Sequence, residues 1–334
     1  MQHNAFVRPP IVSALDPAEL EGGVVHRRRI VITENATGNE TLAPVIIVKA
    51  PEPGPVVGIT AAIHGNELNG IPVIHKLVDV LTRRPLKRGA LIAVPIVNLP
   101  GYVREQRTFD DGVDLNHIMP GKSDGNESEL YAYRVMERIV RHCDYLVDLH
   151  TASFGRINSL YVRADMNDTS TAHMARLIAP QIILHNPGSD GTLRGAAAAR
   201  GIKAITVEIG DPQRLQKGLV YATRVGIQAV LDDLGMMDNP HVSADSETVE
   251  CERSRWMYTD RGGVLEVLPE LAAYIRQGEV IARLRNVWGD LVREYECPAD
   301  GIVIGKSTNP AARAGSRILH LGIVGRPSTA KDKT

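Results

Sequence analysis

From residue 55 to residue 234, short apolar runs alternate with stretches in which apolar residues recur every three or four positions. The runs at 55–63 (PVVGITAAI), 90–97 (ALIAVPIV), 144–149 (DYLVDL), 159–164 (SLYVRA), 181–185 (QIILH) and 203–209 (KAITVEI) predict strands. Between them, Ile71, Ile74, Val78 and Leu81 predict a helix over 71–82. Ala132, Val135, Met136, Ile139 and Val140 predict another over 127–142. Further helices are expected at 171–179, in the alanine-rich stretch after Gly195, and at 214–234. Continuous apolar strands alternating with helices predict an α/β fold, a mostly parallel or mixed sheet with helices on both faces. Two upstream runs, 28–33 and 43–49, read as edge strands of the same sheet.

The pattern changes after LDDLGMMDNP (231–240). Residues 241–254 are polar, and short strand signals follow at 255–259, 263–268, 279–285, 291–297, 301–305 and 317–324. Their even spacing predicts a small β-barrel or sandwich of roughly 80 residues. The expected organisation is a large α/β domain at 1–240, with 1–54 supplying edge strands, a small β domain at 241–326, and a disordered tail at 327–334.

Composition narrows the function classes. The 334 residues are 43% hydrophobic and 23% charged, with a net charge of −1. That balance argues against nucleic acid or a membrane surface as partner. The three cysteines, Cys143, Cys251 and Cys297, form no CxxC pair, which argues against a disulfide framework and a thiolate metal site. MQHNAFVRPP at the start has no apolar signal region, and no stretch approaches membrane-span length. A cytoplasmic protein acting on a small molecule is expected, with homo-oligomerisation left open.

Open α/β sheets bind ligands at the carboxyl ends of their strands. Three strings end strands there: HGNE (64–67), the histidine of DYLVDLH (144–150) and the glutamate of ITVEIG (205–210). HxxE alone is weak in a chain with eleven histidines. A second histidine at a distant strand end makes a stronger pattern. His64, Glu67 and His150 offer three nitrogen and oxygen ligands, the set that holds a catalytic zinc and leaves a position for water. One Zn²⁺ per chain is expected. Glu208 is a candidate general base for such a water. A strand-end glutamate facing solvent or paired with arginine fits the sequence equally well. The polar segment 97–121 is long for a connecting loop, which favours a functional one. Within it Arg107 could stabilise an oxyanion and Asn116 could donate to a carboxylate, while Arg104 reads as a solvated arginine. Turn capping and solvation are the competing readings for all three. His75 reads as a half-buried packing residue beside its helix stripe. His142, His173, His185, His241 and His320 lack a second ligand at useful spacing and read as structural or surface residues.

These residues carry a family resemblance. HGNE, NLPGY…R…DG.DLN..MPG, D.HT and TVEIG occur in the order and spacing of the succinylglutamate desuccinylase/aspartoacylase family, which belongs with the carboxypeptidase A-like zinc hydrolases. The resemblance spans about residues 55–235. It implies that His64, Glu67 and His150 bind zinc, that Glu208 is the base, and that Arg107 polarises the scissile carbonyl. Asn116 matches the asparagine that helps hold a substrate carboxylate. TLR (192–194) resembles the family's threonine–x–arginine string and makes Arg194 a candidate second carboxylate clamp. One position departs: DLNH (114–117) stands where the family usually reads DLNR. His117 replaces a bidentate, always-charged donor with a single, partly protonated one. Substrate recognition at this point is therefore expected to differ. The segment 261–305 resembles the barrel-sandwich (biotinyl/lipoyl-like) domain of longer family members. Its hairpin RNVWGDLVRE (285–294) lacks the lysine a carrier needs, so a role in roofing the cleft or in assembly is expected instead.

The expected activity is a zinc-dependent amidohydrolase that deacylates an N-acylated amino acid or related amine. Two alternatives stay open: a zinc metallocarboxypeptidase acting on small peptides, and a non-catalytic binding or assembly protein.

Overall fold

A computed structural model describes residues 8–188, 191–238 and 247–326. Four neighbouring strands, Arg88–Val94, Glu52–Ala61, Tyr145–His150 and Lys203–Ile209, run parallel at the centre of a large mixed sheet. On one side follow Glu40–Lys49, antiparallel to Arg88–Val94, then Val24–Glu34, antiparallel to Glu40–Lys49, and then Ile11–Val12, parallel to Val24–Glu34. On the other side Leu160–Ala164 runs antiparallel to Lys203–Ile209 and is followed by Ile182–His185. The α/β expectation thus holds. Glu40–Lys49 is not an edge strand, however, because it is hydrogen-bonded on both sides.

Strand alternation sorts the side chains between two cores. Val147, Leu149, Ile205, Val207 and Ile209 join Ile74, Leu77 and Leu81 of helix Gly70–Arg83 and Ile227, Val230 and Leu231 of helix Lys217–Asp233. Leu146 and Ala204 pack on the opposite face with Tyr131, Val135 and Met136 of helix Glu127–Arg138. Because successive side chains change sides, Asp148 and His150 share the face of Leu146, and Thr206 and Glu208 share that of Ala204. The polar residues of the central strands therefore collect on one face. His75 is exposed rather than half-buried, since Ile74, Leu77 and Val78 already fill the apolar face of its helix.

The segment 97–121 is less irregular than its sequence suggests. It contains a short helix, Leu99–Val103, and a 3₁₀ turn, Leu115–His117. Asn98 caps the first by accepting from the Gly101 N–H, with proline in its opening turn. Asp114 caps the second by accepting from the Asn116 N–H. Both are too short to show an apolar period.

In the C-terminal third, strand Val249–Tyr258 pairs in parallel with Ile182–His185. Arg317–Val324, Gly301–Ser307 and Tyr274–Ile275 follow in order, so the main sheet continues into this region. A second sheet of four strands, Leu291–Glu296, Val280–Arg285, Gly263–Val267 and Ala311–Ala312, lies beside it. Leu265, Ile281 and Leu284 from that sheet share a core with Met257, Val303, Leu319 and Leu321 from the main one. A further strand, Arg156–Asn158, was not foreseen from the sequence. It follows closely on His150 and pairs antiparallel with Gly301–Ser307. Gly305 permits that approach, since a Cβ there would lie 2.3 Å from Asn158 Oδ1. The expected domain boundary at residue 240 and the tail 327–334 lie outside the described residues.

Candidate metal centre and active-site pocket

Strand Glu52–Ala61 ends in a turn that carries His64 and Glu67 before helix Gly70–Arg83 begins. Gly65 sits hard against the neighbouring loop, where a Cβ would fall 2.0 Å from the Gly101 carbonyl carbon. That contact explains the glycine in HGNE as a packing requirement. Asn69 ties the same turn to the end of the Glu208 strand, donating to the Ile209 carbonyl at 2.8 Å and accepting from the Gln216 N–H at 3.0 Å.

The two imidazoles converge on one carboxylate. His64 Nδ1 lies 2.9 Å from Glu67 Oε1, and His150 Nδ1 lies 3.0 Å from Glu67 Oε2. All three side chains are buried. Ligand atoms from the three lie within 4.8 Å of one another, so they could hold a metal ion. His64 Nδ1 is buried without a well-directed hydrogen bond, as a lone pair reserved for an ion would be. Each far nitrogen meets a carboxylate: His64 Nε2 lies 3.2 Å from Asp114 Oδ1, and His150 Nε2 lies 2.7 Å from Asp148 Oδ2. Asp148 is itself held by the Thr60 hydroxyl at 2.6 Å. Carboxylates behind ligating histidines fix the tautomer that turns the other nitrogen to the metal.

Electrostatics at the centre follow from this convergence. Burial alone would raise the Glu67 pKa, but His64 and His150 hold it well below the usual carboxylate range. Burial alone would lower His150, yet Asp148 and Glu67 keep its pKa well above the ordinary histidine value. A divalent cation between the three would replace those shared protons.

Glu208 is the register partner of His150 on the adjacent parallel strand. It is buried, and Asn158 Nδ2 donates to its Oε2 at 3.2 Å. Arg163 Nε lies 3.5 Å from its other oxygen. Arg107 donates from Nε to Asp114 Oδ2 at 2.9 Å and from Nη1 to Glu67 Oε1 at 2.8 Å and Ser153 Oγ at 2.7 Å. Asn116 accepts from the Leu193 N–H at 2.8 Å through Oδ1, which leaves its Nδ2 to donate. Arg194 is buried and donates from both terminal nitrogens to Asn186, reaching the carbonyl oxygen at 2.8 Å and also Oδ1. Burial and the nearby Arg163 lower its pKa to about 10. His117 is 73% exposed at the rim, 3.9 Å from Asp114 Oδ2. All eight candidate residues line one pocket of about 440 Å³. Arg104 lies outside it and pairs with Asp110.

The sequence reading assigned no role to Asp148, Asp114, Asn158 or Arg163. Asp148 had a usable signal, an acidic residue two before His150 on the same strand face. Arg163 had a similar one, a charge inside an apolar strand. Asn158 had none, because its position depends on pairing with a strand nearly 150 residues away. His320 is buried, and its ring stacks on Trp256 at 4.6 Å with a 7° interplanar angle.

The carboxylate behind His150 can be tested directly. Asp148→Ala is expected to weaken metal affinity by about 10–100-fold, the usual cost of losing such a partner. Competition with a chelator measures it, and unchanged affinity would show that Asp148 does not orient the ligand.

Residues 53–234 match the model described as the succinylglutamate desuccinylase/aspartoacylase catalytic domain. The chain belongs to that family. It is 27% identical to the N-alpha-acetyl-L-2,4-diaminobutyric acid deacetylase of Halomonas elongata, over 93% of this chain and 94% of that protein. It is 29% identical to a succinylglutamate desuccinylase of Pseudomonas paraeruginosa, over 46% of this chain and 49% of the relative. Among solved structures, the product-bound ectoine utilization protein EutE (DoeB) of Ruegeria pomeroyi superposes with a TM-score of 0.82 at 20% identity. That match covers 93% of this chain and 98% of the other. A succinylglutamate desuccinylase/aspartoacylase from Rhodobacter sphaeroides gives 0.79 at 21% identity, covering 93% and 100%. These two likenesses establish the fold. No helix among the described residues is long and apolar enough to cross a membrane.

Proposed function

We propose that this protein is a zinc-dependent deacylase that hydrolyses the amide bond of an N-acylated amino acid. The observation that carries the reading is the convergence of His64, Glu67 and His150, backed by Asp114 and Asp148, beside a buried glutamate on the next strand. The full-length similarity to a deacetylase of an N-acetylated amino acid supports it. Nitrogen and carboxylate donors without cysteine suit zinc, and three protein ligands leave a position open for water. Bound there, zinc would act as a Lewis acid and lower the pKa of water.

The remaining work falls to the chain. Glu208 takes a proton from the attacking water and returns it to the leaving nitrogen, which departs as the amine while the acyl carbon leaves as a carboxylic acid. Asn158 donates to one oxygen of its carboxylate and Arg163 lies beside the other, which fixes the carboxylate in the pocket. Arg107, anchored to Asp114 and Ser153, donates to the carbonyl oxygen as negative charge develops on it. Asn116 and Arg194 hold a substrate carboxylate, and His117 sits at the rim where a second donor from the same turn would stand. A panel of N-acetyl and N-succinyl amino acids, including N-acetyl-2,4-diaminobutyrate, assayed with the zinc-loaded protein beside dipeptides, tests the reading. Release of free amine from N-acyl amino acids but not from dipeptides is expected. Cleavage of dipeptides alone would make it a carboxypeptidase, and no cleavage of any amide would end the enzymatic reading.

A further inference from the structure

Two places on the surface carry features that the chemistry of the metal centre does not use. The first is the hairpin 285–294. At its tip Val287 and Trp288 are 81% and 86% exposed, the two most exposed large apolar side chains among the described residues. None of residues 285–294 lines the metal-centre pocket, so this hairpin does not roof it. The tip is nonetheless firmly built. Asn286 Oδ1 accepts from the Trp288 and Asp290 N–H groups at 2.9 and 3.0 Å, and Asn286 Nδ2 donates to Asp290 Oδ2 at 2.9 Å. Arg285 Nη1 donates to the Gly289 carbonyl at 3.0 Å. A tip held in this way presents its tryptophan in a set place, which lowers the ordering cost of docking.

The second is a pocket of about 390 Å³ against the turn that carries His64 and Glu67, lined by Asn66, Leu68, Tyr102, Val103, Glu105 and Gln213. Val103 and Tyr102 are exposed and give it an apolar rim. Asn66 is buried, and its Oδ1 has no hydrogen-bond partner. A buried acceptor left in that state is costly, and an incoming donor removes the cost. Glu105 is the one charged residue of the lining. Among the described residues, no lysine, arginine or histidine lies within ion-pair distance of it. Glu105 and Gln213 also hold left-handed backbone, with φ of 55° and 50°. Side chains other than glycine keep that conformation only where their surroundings enforce it, and such positions gather at functional surfaces.

The two places complement each other group by group. An indole N–H only donates, and that of Trp288 reaches no acceptor among the described residues, whereas Asn66 offers an acceptor without a donor. Arg285, beside the tip, has no carboxylate within ion-pair distance, and Glu105 has no cation. A different surface pocket, lined by Arg141, Asp144, Arg200 and Lys203, sets three cations against one acid and suits Arg285 poorly. We propose that this protein assembles as a two-fold pair in which the Val287–Trp288 tip of each copy enters the Asn66 pocket of the other. The Trp288 indole donates to Asn66 Oδ1, and Arg285 meets Glu105. One aromatic tip is small beside the roughly 1,200–2,000 Å² that stable interfaces bury. A closed pair uses the contact twice, which favours it over a head-to-tail chain. Each indole then packs against the turn that carries His64 and Glu67.

Sedimentation velocity on the full chain tests the pair. The parent is expected to run as a dimer with a Kd of about 1 µM or tighter. Trp288→Ser and Val103→Asp each change an exposed side chain, so both are expected to fold. Each is expected to raise Kd by about thirtyfold or more, the usual loss at a tryptophan hot spot. Tyr274→Ser, at another exposed aromatic residue outside the pocket, is expected to leave Kd unchanged. Mixing Trp288→Ser with Val103→Asp unites one intact tip with one intact pocket. A mixed dimer is therefore expected, weaker than the parent and tighter than either variant alone. Glu105→Arg and Arg285→Glu are each expected to weaken the pair, and their combination in one chain to recover most of the affinity. A parent that stays monomeric would overturn the proposal and leave the tip to a different partner. A dimer that persists in Trp288→Ser or in Val103→Asp would also overturn it, as would charge reversals whose losses add, or growth into open chains. None of these measurements depends on turnover, so the deacylase reading and the pair stand or fall separately.

Discussion

Glu208→Gln is expected to lower kcat by about 10²–10⁴-fold, the usual contribution of a general acid–base group, while leaving metal content and fold unchanged. The substitution keeps the volume of a side chain only 8% exposed, and its carbonyl oxygen can still accept from Asn158. What it removes is the capacity to take a proton. Glu208 coordinates nothing in the proposed arrangement, so the variant separates chemistry from metal binding. Single-turnover rates on the best N-acyl substrate, with zinc measured on the same preparation, provide the check. A rate near that of the parent protein would place the base elsewhere in the pocket.

The parent protein is expected to bind one zinc ion per chain, and His150→Ala and His64→Ala to lose most of it. Three ligands are the minimum for such a site, and each histidine supplies one buried nitrogen aimed at Glu67. His150→Ala also strips Asp148 of its partner in a buried setting, which leaves a carboxylate unpaired and costs stability beyond the lost ligand. His64→Ala is milder in that respect, because Arg107 still holds Asp114. Added zinc is therefore expected to raise the Tm of the parent and to leave both variants nearly unmoved. Elemental analysis and thermal scans with and without zinc measure these outcomes. Full zinc retention in both variants would sink the ligand assignment.

Much of this architecture was legible in the sequence because strand and helix periods differ so clearly. The central strand over 203–209 was delimited to the residue, and helix Gly70–Arg83 to within one residue at each end. The order of strands was less accessible: Glu40–Lys49 lies inside the sheet, and no local pattern states which strands become neighbours. His64, Glu67, His150 and Glu208 stood out as polar residues closing apolar runs, a local signal. Asp114 and Asp148 lay within recognisable strings, but their place behind the histidines follows only from adjacency in space. Arg156, Trp256 and Arg317 carry no motif at all. They meet because Gly301–Ser307 and Arg317–Val324 extend the sheet around to the pocket, a non-local event.

The pairing of Arg156–Asn158 with Gly301–Ser307 bears on how the gene can be cut and recombined. Asn158, which donates to Glu208, is encoded in the first half of the chain, and the strand that seats it is encoded near the end. The α/β region is thus not a portable cassette, although the family signature stops at residue 234. A chimera that exchanges the C-terminal third between relatives must carry the 153–159 loop with it, with glycine at position 305 of the incoming strand. Otherwise the junction is mismatched at Glu208 while His64, Glu67 and His150 remain in place.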